Sequence, residues 1–329
     1  MNKIKNSRNI NQTLIKAKLP LVMVTYADRV IQLLNLWRFR YPLACRIKRE
    51  VSEPFFIIGC GRSGNTLLRS MLCAGEQVSI PPESYVWPRI IRLFKAYSHL
   101  PWDRLSALII GEFEAYKEFY TWDINLALAH RKVRSLPVQE RSLSSIIDVV
   151  YQEYNLQKGD GYVRWGEKTP INTIHIGKVF NVFPKAQFVH IVRDPRDVVC
   201  SYVSAGLYDS YKDAAKFWKA SVCNALSLSR KIPAEQFLQV RYEDLVREPE
   251  PNLSCICSFL GIKYSPAMNE FYKASDKLGD VGTHNHHDNI SKPLTTSSIG
   301  KYTSILSPDE VLTVEQVVGK EMLKYFKYA

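Results

Sequence analysis

The chain has 329 residues, of which 46% are hydrophobic and 12% are aromatic. This composition can bury a full core, so it excludes a disordered chain and favours one large α/β domain with additions over two complete domains. The formal net charge of +12 suggests nucleic-acid binding, but residues 1–50 alone carry +9 of it. The basic charge therefore belongs to an N-terminal arm, and we expect no nucleic-acid partner.

The arm, residues 1–50, contains an apolar stretch over 19–37. Asp28 and Arg29 interrupt it, so no part reaches the roughly 18 uncharged residues that a membrane-spanning helix needs. A compact apolar core followed by a small-residue cleavage site is also missing, so we expect the arm to stay attached and the protein to be cytoplasmic. Two interpretations of its partly helical pattern stay open. One is peripheral contact with an anionic membrane surface, and the favoured one is a helix packed on the domain with a solvated basic tail.

Beyond the arm, short apolar segments alternate with helical ones, which is typical of a parallel sheet. The predicted strands are 54–58, 78–80, 162–165, 187–192 and 237–240. Helices are predicted over 67–73, 171–183 and about 250–260, and residues 86–157 have the pattern of several helices. Together with the glycine-rich turn described below, this alternation predicts an α/β, P-loop-like three-layer fold over residues 51–329. Its central parallel sheet is flanked by helices, and the insertion at about 86–157 forms a helical substrate cap.

Four residues predict where helices begin and end. Pro184 stops the helix that precedes it, and Asp194 supplies an N-cap with Pro195 at the first helical position. Gly261 ends the helix that follows the fifth strand.

A glycine-rich turn, residues 59–66, lies between the first predicted strand and its helix. The N–H groups of such a turn and the positive end of the helix converge on an anion, so the loop should hold a phosphorylated ligand. Its spacing is that of the loop G-x-x-x-x-G-K-[ST], except that Asn65 stands at the lysine position. Because that lysine helps to offset the charge of a transferred phosphoryl group, ATP or GTP hydrolysis is the weaker interpretation. The only cation of the loop is Arg62.

Ligands of parallel sheets bind beyond the carboxyl ends of the strands. The residues at these ends favour anion binding and include one carboxylate: Arg62, Glu83, Lys168, Arg193 and Tyr242. Glu83 could take a proton from an attacking hydroxyl, or it could be a surface or helix-capping glutamate. Lys168 could stabilise the charge of a leaving group, or it could pair with Glu167.

Arg193 ends the fourth strand, and Ser201 follows about two turns into the next helix. Together they could hold a second phosphate that is remote from the first loop. The alternative for Arg193 is an ion pair with Asp194 or Asp197.

Taken in order, these segments resemble the motifs of sulfotransferases that use 3′-phosphoadenosine-5′-phosphosulfate (PAPS). The branch that contains protein-tyrosine sulfotransferases and many bacterial enzymes is closer than the cytosolic small-phenol enzymes. Residues 61–68 resemble the loop for the 5′-phosphosulfate, 82–84 the segment with the catalytic glutamate, and 166–170 a lysine motif beside the donor.

Three further segments extend the resemblance from about residue 54 to the C-terminus. Residues 192–201 resemble the 3′-phosphate site, 241–245 the tyrosine motif near the adenosine, and 297–302 a closing segment that supplies a cation. Lys292 and Lys301 both lie near this segment, and we prefer Lys301. Two departures concern the first loop, because Gly61 replaces the usual proline and Asn65 the first threonine.

The resemblance implies roles for particular residues. It implies that Glu83 deprotonates an acceptor hydroxyl while Arg62 and Lys168 stabilise charge on the transferring group and the departing 5′-phosphate. It also implies that PAPS is bound, and its product 3′-phosphoadenosine-5′-phosphate (PAP) released, without a metal. The residues expected to bind this co-substrate are Arg62, Ser63, Gly64, Asn65, Thr66, Arg193, Ser201, Tyr242 and Lys301.

Two other functions compete with sulfonate transfer. One is a P-loop kinase for a nucleotide or small molecule, and the other is a non-catalytic nucleotide-binding adaptor in which Glu83 and Lys168 would be idle. The acceptor is also open among carbohydrate, lipid-linked and tyrosyl hydroxyls, and so is formation of a homodimer. Aromatic residues of the insertion could stack on an acceptor ring, but at helical spacing they more often form core: Trp87, Trp102, Tyr116, Tyr120 and Trp122.

Cysteine and histidine positions bear on metal and redox chemistry. The seven cysteines are odd in number and include no C-x-x-C pair, so we interpret them as reduced packing residues. His284, His286 and His287 cluster in a polar segment without cysteines at ligand spacing. A solvated or substrate-facing loop is the favoured interpretation, and we expect no metal site.

Overall fold

The central feature of the structure is a five-stranded parallel sheet. The computed structural model describes Tyr26 and residues 40–47, 53–159, 161–280 and 290–329. The strands are β1 (Phe55–Ile58), β2 (Val78–Ser79), β3 (Arg164–Glu167), β4 (Gln187–Val192) and β5 (Phe237–Arg241). Their order is β2-β3-β1-β4-β5, with all neighbours parallel, so the loop after β1 lies at the middle of the sheet edge. The predicted α/β fold class is confirmed.

Helices surround this sheet. The α-helices are α1 (Asn65–Ala74), α2 (Trp87–Ala96), α3 (Trp102–Glu114), α4 (Ala127–Arg134), α5 (Leu143–Lys158), α6 (Ile176–Val182), α7 (Pro195–Ser204), α8 (Tyr211–Ser229), α9 (Tyr242–Arg247), α10 (Pro249–Leu260), α11 (Pro308–Val318) and α12 (Lys320–Tyr325). Short 3₁₀ helices cover Phe119–Trp122, Val138–Glu140, Pro170–Thr173, Ala234–Gln236, Pro266–Leu278 and Lys301–Ser304.

The alternation of side chains along β1 divides the core into two layers. Phe55 and Ile57 pack on one face, in a cluster with residues of α1 and α10. Phe56 and Ile58 point to the opposite face, where they pack with the helices of the insertion and with α6. All four side chains are at most 1% exposed. A strand covered on both faces in this way is apolar at every position, which is why β1 reads as a continuous hydrophobic run.

The insertion between β2 and β3 shares its core with the sheet. Its helices α2–α5 contribute to the same hydrophobic cluster as Phe56, Trp165 and Phe188 of the strands. Trp87, Trp102 and Trp122 are buried in this cluster, as the core interpretation predicted. The other two aromatic residues differ, because Tyr120 is exposed and Tyr116 lines a cavity.

The predicted helix boundaries match the structure closely. The Asp194 carboxylate accepts a hydrogen bond from Arg196 N and caps α7, with Pro195 as its first residue. Helix α6 ends just before Phe183 and Pro184, and Gly261 ends α10 in the left-handed conformation at φ +69°.

Several segments depart from the predicted pattern. Strand β3 covers 164–167 rather than 162–165, and helices α8, α9, α11 and α12 were not predicted. The single helix predicted over 171–183 is instead a 3₁₀ turn followed by α6, because the Thr173 hydroxyl bonds both Gly59 N (2.9 Å) and Gly59 O (3.1 Å) and ties the turn to the end of β1. The 3₁₀ segment Pro266–Leu278, which packs on α1, was not predicted.

Most of the basic arm and all three clustered histidines, His284, His286 and His287, lie outside the described residues. Within the described ranges, none of the helices combines the length and the apolar character that crossing a bilayer requires.

Candidate active site

The loop after β1 forms an anion cradle at the N-terminus of α1. Its Gly64 has φ +98°, and a Cβ there would lie 2.5 Å from Cδ2 of Tyr242, so both the backbone conformation and the close packing require glycine. Gly64 is also the N-cap residue of α1 and has no side chain to cap it. The first N–H groups of this ten-residue helix therefore have no capping side chain and are available to an anion.

Nearly all the predicted site residues surround one cavity of about 1250 Å³ beyond the carboxyl ends of the strands. Those that line it are Arg62, Gly64, Asn65, Thr66, Glu83, Arg193, Ser201, Tyr242 and Lys301. Ser63 and Lys168 lie behind this lining and are buried. Lys301 and the alternative cation, Lys292, both line the cavity and are exposed.

Lys168 joins the predicted base to the loop. Its Nζ lies 2.5 Å from Oε1 of Glu83 and donates to Oγ1 of Thr66 at 3.2 Å. The Lys168 side chain is fully buried, whereas the Glu83 side chain is 22% exposed and lines the cavity. The structure thus pairs Lys168 with Glu83, 85 residues away, rather than with its sequence neighbour Glu167.

The electrostatic environment keeps the Glu83 carboxylate charged. Burial alone would raise the pKa of Glu83, but the positive charge of Lys168 and the hydrogen bonds from Lys168 and Tyr85 outweigh it and lower the pKa below its ordinary value. The neighbouring carboxyl behaves in the opposite way, because burial raises the pKa of Glu167 to about 7.

Arg193 is held by backbone oxygens rather than by a close ion pair. Its guanidinium donates to Arg62 O at 3.1 Å and to Ser298 O at 2.5 Å, and it lies 4.7 Å from the centre of the Tyr242 ring. Of the two aspartates that could have paired with it, Asp194 binds another arginine and Asp197 makes only a long ion pair. Asp194 binds Arg196 at 2.7 Å, and Asp197 is 3.9 Å from Arg193.

Besides its long ion pair with Arg193, Asp197 holds the closing segment. Its two carboxylate oxygens accept hydrogen bonds from Gly300 N at 2.8 Å and Tyr302 N at 2.9 Å. The segment that carries Lys301 is thereby fixed to α7, beside Arg193. Sequence reasoning treated Asp197 only as a partner for Arg193, since the contact with residue 300 spans 103 positions.

The structure brings the second predicted phosphate site into contact with the first. Nε of Arg62 donates to Oγ of Ser201 at 2.9 Å, and Arg193 donates to Arg62 O. From the sequence, Arg193 and Ser201 were expected to lie apart from the loop at 59–66. In the folded chain Arg62 connects the two.

Three buried polar atoms around the loop have no hydrogen-bond partner among the described residues. They are Nε of Arg193, Oγ of Ser63 and Oδ1 of Asn65. Buried polar groups are nearly always paired in folded proteins, and two of these three, the Arg193 Nε–H and the Ser63 hydroxyl, can donate. Two unpaired donors beside an uncapped helix indicate a place for an anionic ligand.

Both departures in the loop have local explanations. A Cβ at Gly61 would lie 2.4 Å from the Tyr202 hydroxyl, so the tyrosine occupies the space that a side chain at position 61 would need. The Asn65 amide turns back into the loop and donates from Nδ2 to Cys60 O at 2.7 Å. Asn65 thus closes the turn that presents the N–H groups.

Metal ligands are a separate question. Among the residues the structure describes, no group of three or more His, Cys, Asp or Glu side chains could hold a metal ion.

The parallel sheet and the uncapped glycine loop define a P-loop-like α/β protein. The cations that converge at its strand ends form a site for an anionic ligand. A profile described as the Sulfotransferase family matches residues 54–266. The chain therefore belongs to the sulfotransferase family, as its motifs predicted.

Relatives and solved structures agree with this assignment. Protein-tyrosine sulfotransferase A of Caenorhabditis elegans is 25% identical over 81% of this chain and 65% of its own length, and the Drosophila melanogaster protein-tyrosine sulfotransferase is 26% identical over 83% and 52%. The chain thus spans about half to two thirds of these relatives. The omega-hydroxy-beta-dihydromenaquinone-9 sulfotransferase Stf3 of Mycobacterium bovis is 23% identical over 76% of this chain and 74% of its own. The sulfotransferase domain of the Synechococcus PCC 7002 olefin synthase has TM-score 0.57 and 26% identity, covering 84% of this chain and 98% of that one.

Proposed function

We propose that the protein transfers a sulfonate group from PAPS to a hydroxyl acceptor. The observation that carries this proposal is the contact of Lys168 with both Glu83 and Thr66. It brings a carboxylate, a buried ammonium group and the anion loop together at one cavity. Membership of the sulfotransferase family supports the same reaction.

The donor would occupy the cavity along the loop and the end of β4. The 5′-phosphosulfate would accept hydrogen bonds at the loop, where Arg62, Ser63, Gly64, Asn65 and Thr66 lie. The 3′-phosphate would lie at Arg193 and Ser201, with Tyr242 and Lys301 near the adenosine. The buried, unpaired Nε of Arg193 supports this placement, because a phosphate oxygen would satisfy it.

Transfer would then follow from the positions of the charged groups. Glu83 takes the proton of the acceptor hydroxyl, the hydroxyl oxygen bonds to sulfur, and the bond from sulfur to the 5′-phosphate oxygen breaks to release PAP. Lys168 and Arg62 stabilise the charge that accumulates on the transferring group and on the departing phosphate. When Lys168 turns to the donor, Glu83 loses its main positive neighbour, which makes it a stronger base.

The competing functions are less well supported by the site. A kinase would need a cation at the loop position that Asn65 occupies, and the Asn65 amide instead bonds the loop backbone. An adaptor would have no use for a buried lysine held against a cavity-lining carboxylate, because burying that charge is costly.

The decisive test is binding of PAP by calorimetry without Mg²⁺, with ATP as a competitor. We expect metal-independent binding that prefers PAP, and Arg193→Ala should weaken it at least tenfold, because that variant leaves a 3′-phosphate without its cation. Arg247→Ala removes an exposed arginine outside the cavity and should bind PAP like the wild type. Preference for ATP with Mg²⁺, or equal affinity in Arg193→Ala, would overturn the proposal.

The acceptor is tested with radiolabelled PAPS and three probes, a tyrosine-containing peptide, an alkyl glycoside and a long-chain alcohol. They represent the tyrosyl, carbohydrate and lipid-linked classes. Transfer to at least one of them is expected, and transfer to none would leave binding without catalysis, as in an adaptor.

Location and assembly stay predictions. We expect a cytoplasmic protein whose basic arm contacts an anionic membrane surface or the domain, and homodimer formation is open. Cell fractionation and vesicle sedimentation with and without anionic lipid check the first point, and light scattering checks the second.

A further inference from the structure

The two oxygens of the Glu83 carboxylate are bound by different side chains. Oε1 accepts from Nζ of Lys168 at 2.5 Å, and Oε2 accepts from the hydroxyl of Tyr85 at 2.8 Å. Lys168 follows β3, whereas Tyr85 lies in the loop between β2 and α2, two residues after Glu83. The carboxylate is thus tethered from two directions.

Tyr85 directs its hydroxyl at the Glu83 carboxylate from the wall of the cavity. It is 49% exposed and lines the cavity, so its ring is only partly buried. Its ring lies 6.2 Å from that of Tyr116 at an angle of 33°, and the Tyr116 hydroxyl donates to Glu118 at 3.0 Å. The Tyr116 ring of the insertion thus lies beside Tyr85, whose hydroxyl donates to Glu83.

We propose that Tyr85 is a positioning residue for sulfonate transfer, whose hydroxyl holds the Glu83 carboxylate in the orientation that receives the acceptor proton. The inference rests on the proposed role of Glu83 as base. An ionised carboxylate has about four lone-pair sites, so Lys168 and Tyr85 leave free sites for the acceptor hydroxyl. Tyr85 keeps its bond when Lys168 turns to the donor, and without it the carboxylate would be free to rotate at that moment.

Charged and titratable groups surround Glu83 from several elements. Lys168 and Glu167 lie at the end of β3, Arg62 in the loop after β1, Asp280 after the 3₁₀ segment, and Tyr116 in the insertion. Burial and the negative charge of Glu83 raise the pKa of Tyr85, so its phenol stays protonated and remains a donor. The Tyr85 hydrogen bond lowers the pKa of Glu83, and its loss should raise that pKa.

The test compares Tyr85→Phe with Tyr116→Phe. Each variant removes one hydroxyl and keeps the ring, but only the first removes a hydrogen bond from Glu83. The Glu83 carboxyl is followed by carbon NMR on protein labelled at glutamate, with Glu83→Gln to assign the resonance. We expect the titration of Glu83 to move to higher pH in Tyr85→Phe and to stay in place in Tyr116→Phe.

Kinetics supply the second readout, with whichever of the three acceptor probes the wild type turns over. Tyr85→Phe should lower kcat about tenfold, shift the acid limb of kcat/KM to higher pH and leave PAP affinity unchanged, because a hydrogen bond to a charged group is lost. An unmoved Glu83 titration, or an unchanged kcat, in a variant that melts like the wild type would overturn the inference. If the wild type turns over none of the probes, the proposed function fails, while the NMR titration still decides whether Tyr85 binds Glu83.

Discussion

Replacing Gly64 with alanine adds only one methyl group, but it should both destabilise the fold and weaken PAP binding at the anion loop. The residue has φ +98° and ψ 12°, a conformation that alanine adopts only with strain. A Cβ at this position would also lie 2.5 Å from Cδ2 of Tyr242 and 3.2 Å from Cδ1 of Ile191. The Tyr242 ring is buried beneath Arg193, so it has little room to move.

Two effects should lower the free energy of unfolding of Gly64→Ala. Left-handed strain costs about 1–2 kcal/mol, and forcing a methyl group into packed surroundings costs about 1–3 kcal/mol more. Gly261→Ala supplies the matched control, because Gly261 has φ +69° but has no atom within 4 Å of the added Cβ. The free energy of unfolding of Gly261→Ala should therefore fall only by the cost of the backbone strain, about 1–2 kcal/mol.

The assay is urea unfolding of both variants together with PAP calorimetry. Gly64→Ala should be the less stable variant, and it should bind PAP at least tenfold more weakly, since about 1.4 kcal/mol of loop distortion is enough for that loss. Gly261→Ala should bind PAP normally. If Gly64→Ala keeps wild-type PAP affinity, the close contact with Tyr242 does not shape the binding loop.

Three further variants test the charges of the site and the core. Glu83→Gln should lower turnover at least a hundredfold in the radiolabelled transfer assay while PAP binding is retained, and an unchanged rate would remove Glu83 as the base. The pKa of Glu167 is about 7 in the folded protein, against 4.5 ordinarily. Between these two pH values the folded protein keeps the Glu167 proton, whereas the unfolded chain has released it. The free energy of unfolding should therefore fall as pH rises from about 5 to 7, and Glu167→Gln should flatten that fall in denaturant titrations at several pH values, whereas an equally steep fall would contradict the assignment. Arg69→Ala should cost about 3–5 kcal/mol in urea unfolding, because it leaves the buried carboxylate of Asp280 without the guanidinium 2.6 Å away, and a loss below about 1 kcal/mol would show that the pair is dispensable.

Much of the fold could be predicted from the sequence, because the residues that determine its strands, turns and helix ends act locally. The five strands followed from short apolar runs, and the sequence spacing of 59–66 identified the turn between β1 and α1. Asp194, Pro195 and Gly261 act through their own backbone or their nearest neighbours, so they marked helix ends in sequence as they do in the structure. The split before α6 was missed because its cause is Thr173, whose hydroxyl bonds Gly59, 114 residues away.

The sequence predicted which residues form the candidate site, but not which of them contact one another. Arg62, Glu83, Lys168 and Arg193 could be identified as strand-end residues, and all but the buried Lys168 line one cavity. Lys168 and Arg193 each had a plausible local partner, and charge complementarity between sequence neighbours does not reveal which partner is used. Tyr85 carried no sequence signal, since any loop tyrosine could face solvent.

The sequence by itself determined the sulfotransferase motifs, the parallel sheet and the anion loop, because alternation, glycine turns and caps act within a few residues. Only the tertiary structure decided that Lys168 binds Glu83, that Arg62 reaches Ser201 and that Arg193 rests on the Tyr242 ring. The two hydrogen-bonded pairs are separated by 85 and 139 residues. The strand order β2-β3-β1-β4-β5 brings them together, because parallel strands deliver their carboxyl ends to one edge of the sheet whatever their distance along the chain.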